Sequence, residues 1–165
     1  MRCGLLFQLL GLWLYLSYVQ AVPMQKLQDD AKFLIKTIIN RIRNISHLQS
    51  VSSKHKVTGF DFIPLSPYLS LPKMDQTLTL YQKVITTLSS SHTAQISNDL
   101  ENLQSLVQMM ASSKGCPLPH TTEPELQDLE STLKESRYSI EVVVLRRMKR
   151  FLLEMLRQLE LGIVC

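Results

Sequence analysis

The distribution of apolar residues along the chain predicts four long helices. In each of four segments the apolar positions recur every three or four residues, which places them on one face of a helix. The predicted helices span about 24–46, 72–88, 94–113 and 140–161. The apolar stripe of the first consists of Leu27, Ala31, Leu34, Ile38, Ile42 and Ile45. The run Val142–Val144 favours a strand locally, but the longer helical period around it favours a helix.

The lengths of the connecting segments predict how these helices are arranged. Residues 48–70 and 114–138 form long links, whereas residues 89–93 form a short one. The second long link contains a candidate small helix over Leu126–Leu133. A long, short, long order of links is typical of up-up-down-down four-helix bundles, the topology of growth-hormone and cytokine bundles. We therefore predict an all-α fold, a long-chain four-helix bundle that forms one domain over residues 22–165.

The first 21 residues have the layout of a secretory signal peptide. Arg2 supplies the positive charge, Leu5–Tyr18 form the apolar segment, and Ala21 ends a stretch suited to signal peptidase. Cleavage after Ala21 predicts a secreted, extracellular product. A membrane anchor is disfavoured because the apolar run is shorter than the roughly 20 residues that span a bilayer. We expect no membrane insertion of the mature chain.

The mature chain would retain two cysteines, Cys116 and Cys165, because cleavage removes Cys3. Two cysteines in an oxidising compartment favour one disulfide. A closed loop of about 50 residues would stabilise the folded chain by roughly 4 kcal/mol. The bridge would also hold the last segment, LELGIVC, against fraying. A free thiol and an intermolecular bridge stay open as alternatives.

Charge and motifs argue against several classes of function. The formal net charge of +4 is too small to indicate binding to nucleic acid. The four histidines, at positions 47, 55, 92 and 120, lack the paired spacing of a zinc site. The sequence contains no G-x-S-x-G, P-loop or dinucleotide-binding motif. We therefore predict no catalytic residue, no metal site, no cofactor and no enzyme activity.

Five long stretches of the sequence carry a family signature. They are VPMQKLQDDAKFLIKTIINRI, SVSSKHKVTGFDFIP, KMDQTL, QISNDLENL and SRYSIEVV, in that order. Together they resemble the leptin family of secreted hormones. The resemblance implies a hormone that binds and activates a class I cytokine receptor, the leptin receptor, and regulates food intake and energy balance. It also implies that Cys116 pairs with Cys165, and we expect a monomer when the hormone is free.

The resemblance implies two receptor-binding faces. The main face uses the first and third helices and consists of Asp30, Lys36, Thr37, Arg41, Gln95, Asn102 and Leu106. The second face uses the first long link and the start of the fourth helix and consists of Phe60, Asp61, Phe62, Ser139 and Glu141. Without the resemblance, the polar residues of the first helix fit an ordinary solvated face. The two aromatics of the link then fit side chains docked on the bundle.

Four positions depart from the family pattern. Phe33 and Ile140 stand where threonines are expected, and Ser105 stands where an acidic residue is expected. Arg157 replaces a common tryptophan, and one residue is missing near Leu65. The first two departures fall on the two receptor-binding faces. We therefore expect a diverged member with its own receptor preference.

Two sequence motifs each allow more than one interpretation. Asn44-Ile45-Ser46 is a glycosylation sequon with Asn44 as its candidate acceptor, although many such sequons stay unused. The basic run RRMKR, which ends at Arg150, fits a processing site, a solvated helix face, or an electrostatic surface for an acidic receptor or a matrix polysaccharide. The helical period through Met148 disfavours processing, because proteases prefer extended loops.

One alternative function from a different class also stays open. A secreted helical bundle can carry lipid or another apolar ligand if it contains an internal cavity or opens to form one. Seven methionines in the chain suit such a carrier, but they suit an ordinary core equally well.

Overall fold

The secondary structure of the described residues consists of helices and contains no strand. The computed structural model describes residues 7–14, 22–45, 68–88, 90–119 and 127–165, with the backbone alone for 127–139. The four long helices are α1 (Met24–Asn44), α2 (Leu71–Leu88), α3 (Ala94–Lys114) and α4 (Gln127–Leu161). A short helical segment over residues 7–14 precedes them. The prediction of an all-α fold is confirmed.

The predicted start of the fourth helix, near residue 140, is wrong. α4 begins at Gln127 and has 35 residues, so it also includes most of the separate small helix predicted over 126–133. The segment QDLESTLKESRYS contains no proline or glycine and is rich in straight-chain residues, which favour helix. Since nothing in it breaks a helix, the segment continues directly into the apolar stripe of α4.

Gly115 forms the C-terminal cap of α3. Its φ of 73° is left-handed, a conformation that glycine adopts without steric cost. The N–H of the next residue, Cys116, donates to the carbonyl of Ala111 at 2.9 Å and so satisfies a free carbonyl at the helix end. The turn directs the chain from α3 towards the disulfide.

Side-chain contacts fix the relative directions of the first three helices. Arg41 near the end of α1 bonds Asp99 near the start of α3, so these two helices are antiparallel. Gln104 and Gln108 in the second half of α3 both donate to Asp75 near the start of α2. α2 and α3 are therefore antiparallel as well.

Contacts at both ends of α2 fix the direction of α4. Ser90, just after α2, donates to Glu141 in the first half of α4. At the other end, the N–H of Leu71 donates to the carbonyl of Val164 at 2.9 Å. α4 is thus antiparallel to α2, and the main contacts are α1 with α3 and α4, and α2 with α3 and α4. This is the predicted up-up-down-down bundle.

All four helices contribute to one apolar core. Among its fully buried side chains are Ile35, Ile38, Leu78, Tyr81, Ile85, Leu100, Leu103, Met148 and Met155. The rings of Tyr81 and Phe151 join α2 to α4 with their centroids 5.6 Å apart. Burying each large apolar side chain contributes about 1.5–3 kcal/mol, so this core is the main source of stability.

The disulfide between Cys116 and Cys165 closes one end of the bundle. The two residues lie 49 positions apart and their Cα atoms are separated by 5.4 Å. Lys114 donates to the carbonyl of Ile163 beside the bridge. Together with the Leu71 to Val164 hydrogen bond, these contacts fix the last residues against α2 and α3. The predicted pairing is confirmed.

None of the helices in the described ranges combines the length and the apolar character needed to traverse a bilayer.

Candidate functional site

Three of the four α1 residues predicted for the main face lie on one side of the helix. Asp30, Thr37 and Arg41 are separated by seven and four residues, which spreads them over only about 40° at 3.6 residues per turn. Lys36 is rotated by about 140° from Arg41 on the same geometry. The structure therefore groups the first three and separates Lys36 from them.

The three predicted α3 residues also share one side, and that side is next to α1. Gln95, Asn102 and Leu106 follow the four-and-three spacing of a helical stripe that includes Asp99. Gln95 and Asn102 are exposed, whereas Leu106 is partly buried and packs against the core. Because Asp99 bonds α1, the whole stripe borders the α1/α3 seam.

An ion pair joins the two helices at this seam. Arg41 donates through Nε to Oδ2 of Asp99 at 2.6 Å, and Gln95 donates to Oδ1 of the same carboxylate at 3.0 Å. The Asp99 side chain is only 8% exposed, whereas that of Arg41 is 44% exposed. The bond holds Arg41 through Nε, so the terminal nitrogens of its guanidinium can bind a partner's carboxylate.

The structure adds two residues to this surface that sequence analysis did not assign to it, Asp99 and Met109, and Phe33 also lies on it. Asp99 is the acceptor just described, and its spacing from Gln95 and Asn102 is the signal that could have found it. Phe33 lies one turn before Thr37 and is 73% exposed, and Met109 lies three residues after Leu106 and is 45% exposed.

These nine residues form one continuous surface, which we call the α1/α3 face. It consists of Asp30, Phe33, Thr37, Arg41, Gln95, Asp99, Asn102, Leu106 and Met109. Arg41 pairs with Asp99. Phe33 lies two turns before Arg41 in α1, and Leu106 lies two turns after Asp99 in α3. Because the two helices are antiparallel, Phe33 and Leu106 stand at the same level of the bundle. The face therefore has a polar end around Arg41 and an apolar end around Phe33.

The predicted second face lies mostly outside the described residues. Phe60, Asp61 and Phe62 lie outside the described residues, and only the backbone of Ser139 is described, within α4. Glu141 is buried, with 8% exposure, and its Oε1 accepts a hydrogen bond from Ser90 at 3.1 Å. Glu141 thus lies 14 residues into α4 and binds within the molecule.

The departures from the family pattern have different structural consequences. Ile140 is 1% exposed and belongs to the core, so its replacement of a threonine changes packing. Ser105 is exposed and donates to the carbonyl of Glu101. Arg157 bonds Glu154 one turn earlier, and this hydrogen bond lowers the pKa of Glu154 and raises that of Arg157. Of these positions, only Phe33 changes the α1/α3 face.

A surface cavity of about 470 Å³ lies at the turn between α2 and α3. Six of its lining residues are polar: Thr86, Ser90, Ser91, Thr93, Ser97 and Asn98. A carrier of apolar ligands needs an enclosed apolar interior, and a cavity that is open at the surface does not provide one. Across the described ranges, no three His, Cys, Asp or Glu residues are grouped so that they could hold a metal ion.

The chain is similar to known leptins over its whole length. The leptin family model matches residues 23–165. Leptin from Bubalus bubalis is 59% identical over 167 aligned residues and leptin from Capra hircus 58%, and human leptin (Homo sapiens) is 56% identical. Each alignment covers 100% of this chain and 100% of the relative. The similarity therefore includes all four helices and both cysteines of the disulfide.

Proposed function

The chain belongs to the leptin family, and on this premise we propose that it acts on the leptin receptor through the α1/α3 face. As a leptin hormone it binds a cytokine receptor and regulates energy balance. The leptin family is one of hormones and not of enzymes. The proposal concerns which receptor is bound and which residues bind it.

The Arg41–Asp99 ion pair is the observation that carries this proposal. It places an arginine at the surface, fixed by a buried carboxylate, between the polar residues of two helices. A side chain that is already ordered loses less conformational entropy on binding. Arginine and aromatic residues also dominate the binding energy of protein interfaces, and Phe33 supplies the aromatic two turns away.

The apolar end of the face supports the same role. Phe33, Leu106 and Met109 present apolar surface beside a polar rim, the usual composition of a receptor-binding patch. Lys36, which is rotated away from Arg41, lies at the edge of this contact or outside it.

The second face is proposed with a changed role for one residue. Phe60, Asp61, Phe62 and Ser139 remain its candidate contacts, as the family resemblance implies. Glu141 is buried and bound to Ser90, so it positions the adjacent backbone of α4 and does not touch the receptor directly.

The hormone is proposed to be secreted as a monomer of residues 22–165 after cleavage behind Ala21. The helical segment over 7–14 leaves Phe7 and Trp13 81% and 74% exposed, which fits a leader that is removed. Asn44 is exposed as the last residue of α1, which supports it as the acceptor of its sequon. Loss of Arg2 lowers the formal net charge from +4 to +3, and so modest a charge supports the absence of nucleic acid among the partners.

Two neighbouring aspartates provide a matched test of the main face. Asp30 lies on the α1/α3 face, whereas Asp29 is rotated by about 100° and bonds Gln25 and Lys32 within α1. We expect Asp30→Asn to weaken binding to a leptin-receptor ectodomain roughly three- to tenfold, about 1 kcal/mol. Asp29→Asn should bind like the unmodified hormone. Weakening by Asp29→Asn alone, or by neither substitution, would place the contact elsewhere.

A further inference from the structure

α4 carries a band of positive charge that the α1/α3 face does not use. From Val142 to Leu153 the sequence contains four basic residues and no acidic residue; the basic residues are Arg146, Arg147, Lys149 and Arg150. Met148, in the middle of the group, has 0% exposure and so fixes the rotation of the helix. The basic side chains must therefore emerge around the outer surface of α4.

Three of the four lie together on the outside. Arg146, Lys149 and Arg150 are three and four residues apart, so they are neighbours on one side of the helix. Arg150 is exposed, and Arg146 and Lys149 are partly buried, which lets the apolar stems of these two residues rest on the bundle. Arg147 lies towards α2, where its positive charge lowers the pKa of Tyr81 and so partly offsets the effect of burial.

Arg43 of α1 extends this positive surface across the neighbouring seam. The contacts Arg41–Asp99, Gln82–Ser97 and Tyr81–Phe151 show that Arg41 and Phe151 stand at the same level of the bundle. Arg43 lies two residues after Arg41 in α1, and Lys149 lies two residues before Phe151 in α4. Because α1 and α4 are antiparallel, Arg43 is level with Lys149. It is exposed and rotated by about 200° from the side of α1 that meets α3.

We propose that these four residues, Arg43, Arg146, Lys149 and Arg150, form a binding surface for a sulfated polysaccharide. We call it the basic face. Three of its members project within about 6 Å along α4, so neighbouring sulfates of one chain can each meet a cation. Guanidinium groups pair with tetrahedral oxyanions such as sulfate in a two-point geometry. Such polymers occur outside the cell, where hormones of this family act.

This activity is separate from receptor binding through the α1/α3 face. The basic face uses α4 and the opposite flank of α1, so one hormone molecule can bind a polysaccharide while Arg41 remains accessible. Binding would concentrate the hormone at cell surfaces and in matrix. It would also be salt-sensitive, because exposed charges are screened over about 8 Å at physiological ionic strength.

Heparin is the probe, and the protein is the hormone purified from the medium of secreting cells. The test variant combines Arg146→Gln, Lys149→Gln and Arg150→Gln, which keeps long side chains and helix propensity. The matched control combines Lys26→Gln, Lys32→Gln and Lys73→Gln, which removes the same charge from α1 and α2. We expect the test variant to lose at least tenfold in heparin affinity at about 0.15 M NaCl, and the control to lose less than threefold.

Several outcomes would overturn the proposal. Equal losses in the two triple variants would show that net charge alone governs retention. Undiminished binding to desulfated heparin would remove the role of sulfate. If the test variant lost receptor binding but kept its heparin affinity, the basic face would bind an acidic protein surface and not a polysaccharide. If thermal unfolding shows the triple variant to be misfolded, Arg150→Gln alone must lower heparin affinity measurably, since this side chain is exposed.

Discussion

Arg41 of α1 binds Asp99 of α3 through a 2.6 Å contact that joins residues 58 positions apart in the sequence. The acceptor is nearly buried, and Gln95 donates to its second oxygen. One carboxylate thus orders two residues of the proposed receptor-binding surface. The contact also fixes the register of α1 against α3, which brings Phe33 level with Leu106.

The Arg41–Asp99 pair should contribute to stability more than the exposed pairs do. In a double-mutant cycle with Arg41→Gln and Asp99→Asn, urea unfolding should give a coupling energy of about 1 kcal/mol, because the carboxylate is shielded from water. The control is the pair Asp29–Lys32, whose carboxylate side chain is 60% exposed and whose atoms are 3.8 Å apart. Its coupling should stay below about 0.5 kcal/mol. Equal coupling in the two pairs would contradict this account of the seam.

Phe33 should contribute directly to receptor affinity. Its ring is 73% exposed on the α1/α3 face, so Phe33→Ala should leave folding intact and weaken receptor binding roughly tenfold, about 1.4 kcal/mol. Leu153→Ala is the control, since Leu153 is 44% exposed but lies on α4. Surface plasmon resonance with the receptor ectodomain compares the two. Unchanged affinity of the Phe33 variant would limit the contact to the polar end of the face.

Removing the disulfide should destabilise the hormone by about 4 kcal/mol, given the long loop that it closes. The double variant Cys116→Ser, Cys165→Ser should therefore unfold roughly 10 °C lower in a calorimetric scan. Receptor binding should weaken too, because the bridge fixes the end of α3. Reduction of the unmodified protein should reproduce the loss. A melting temperature within about 2 °C of the unmodified value would contradict the stabilising role.

Tyr81 should make the protein sensitive to alkali. Burial raises the pKa of Tyr81, and the charge of Arg147 opposes this only in part. The full contribution of the buried Tyr81 phenol to the free energy of unfolding is present below about pH 10, where the unfolded chain also keeps this phenol protonated. Above that pH the unfolded chain ionises first, so stability falls by about 1.4 kcal/mol per pH unit until the folded state ionises too.

The variant Tyr81→Phe tests this behaviour. Between about pH 8 and pH 11 its free energy of unfolding should fall less than that of the unmodified protein, since the ionising group is gone. Tyr68→Phe is the control, because Tyr68 is 79% exposed. An identical pH dependence in all three proteins would show that Tyr81 does not cause the sensitivity.

Local patterns were enough to predict most of the fold. The apolar stripes located α1, α2 and α3. The start of α4 was missed because its first turns were predicted as a separate small helix, although no helix breaker divides them from the later apolar stripe. Helix existence follows from local propensity, whereas a boundary without a breaker depends on the neighbouring structure.

The site was less predictable because its key contact is not local. No local pattern pairs Arg41 with Asp99, and the burial of Glu141 depends on a turn 51 residues away. The rotation of Lys36 away from Arg41, by contrast, follows from helix geometry alone. The family resemblance named Lys36 without regard to its side of the helix.

The most direct test of the α1/α3 face compares two substitutions of the same kind at exposed amides. Asn102→Arg introduces a bulky charge within the face, and Gln76→Arg does so on the outer surface of α2. Both variants are titrated against a leptin-receptor ectodomain beside the unmodified, oxidised hormone. We expect saturable binding by the unmodified hormone and by Gln76→Arg, and at least tenfold weaker binding by Asn102→Arg. Unchanged binding by Asn102→Arg, or equal losses in both variants, would contradict the assignment of the α1/α3 face as the main receptor contact.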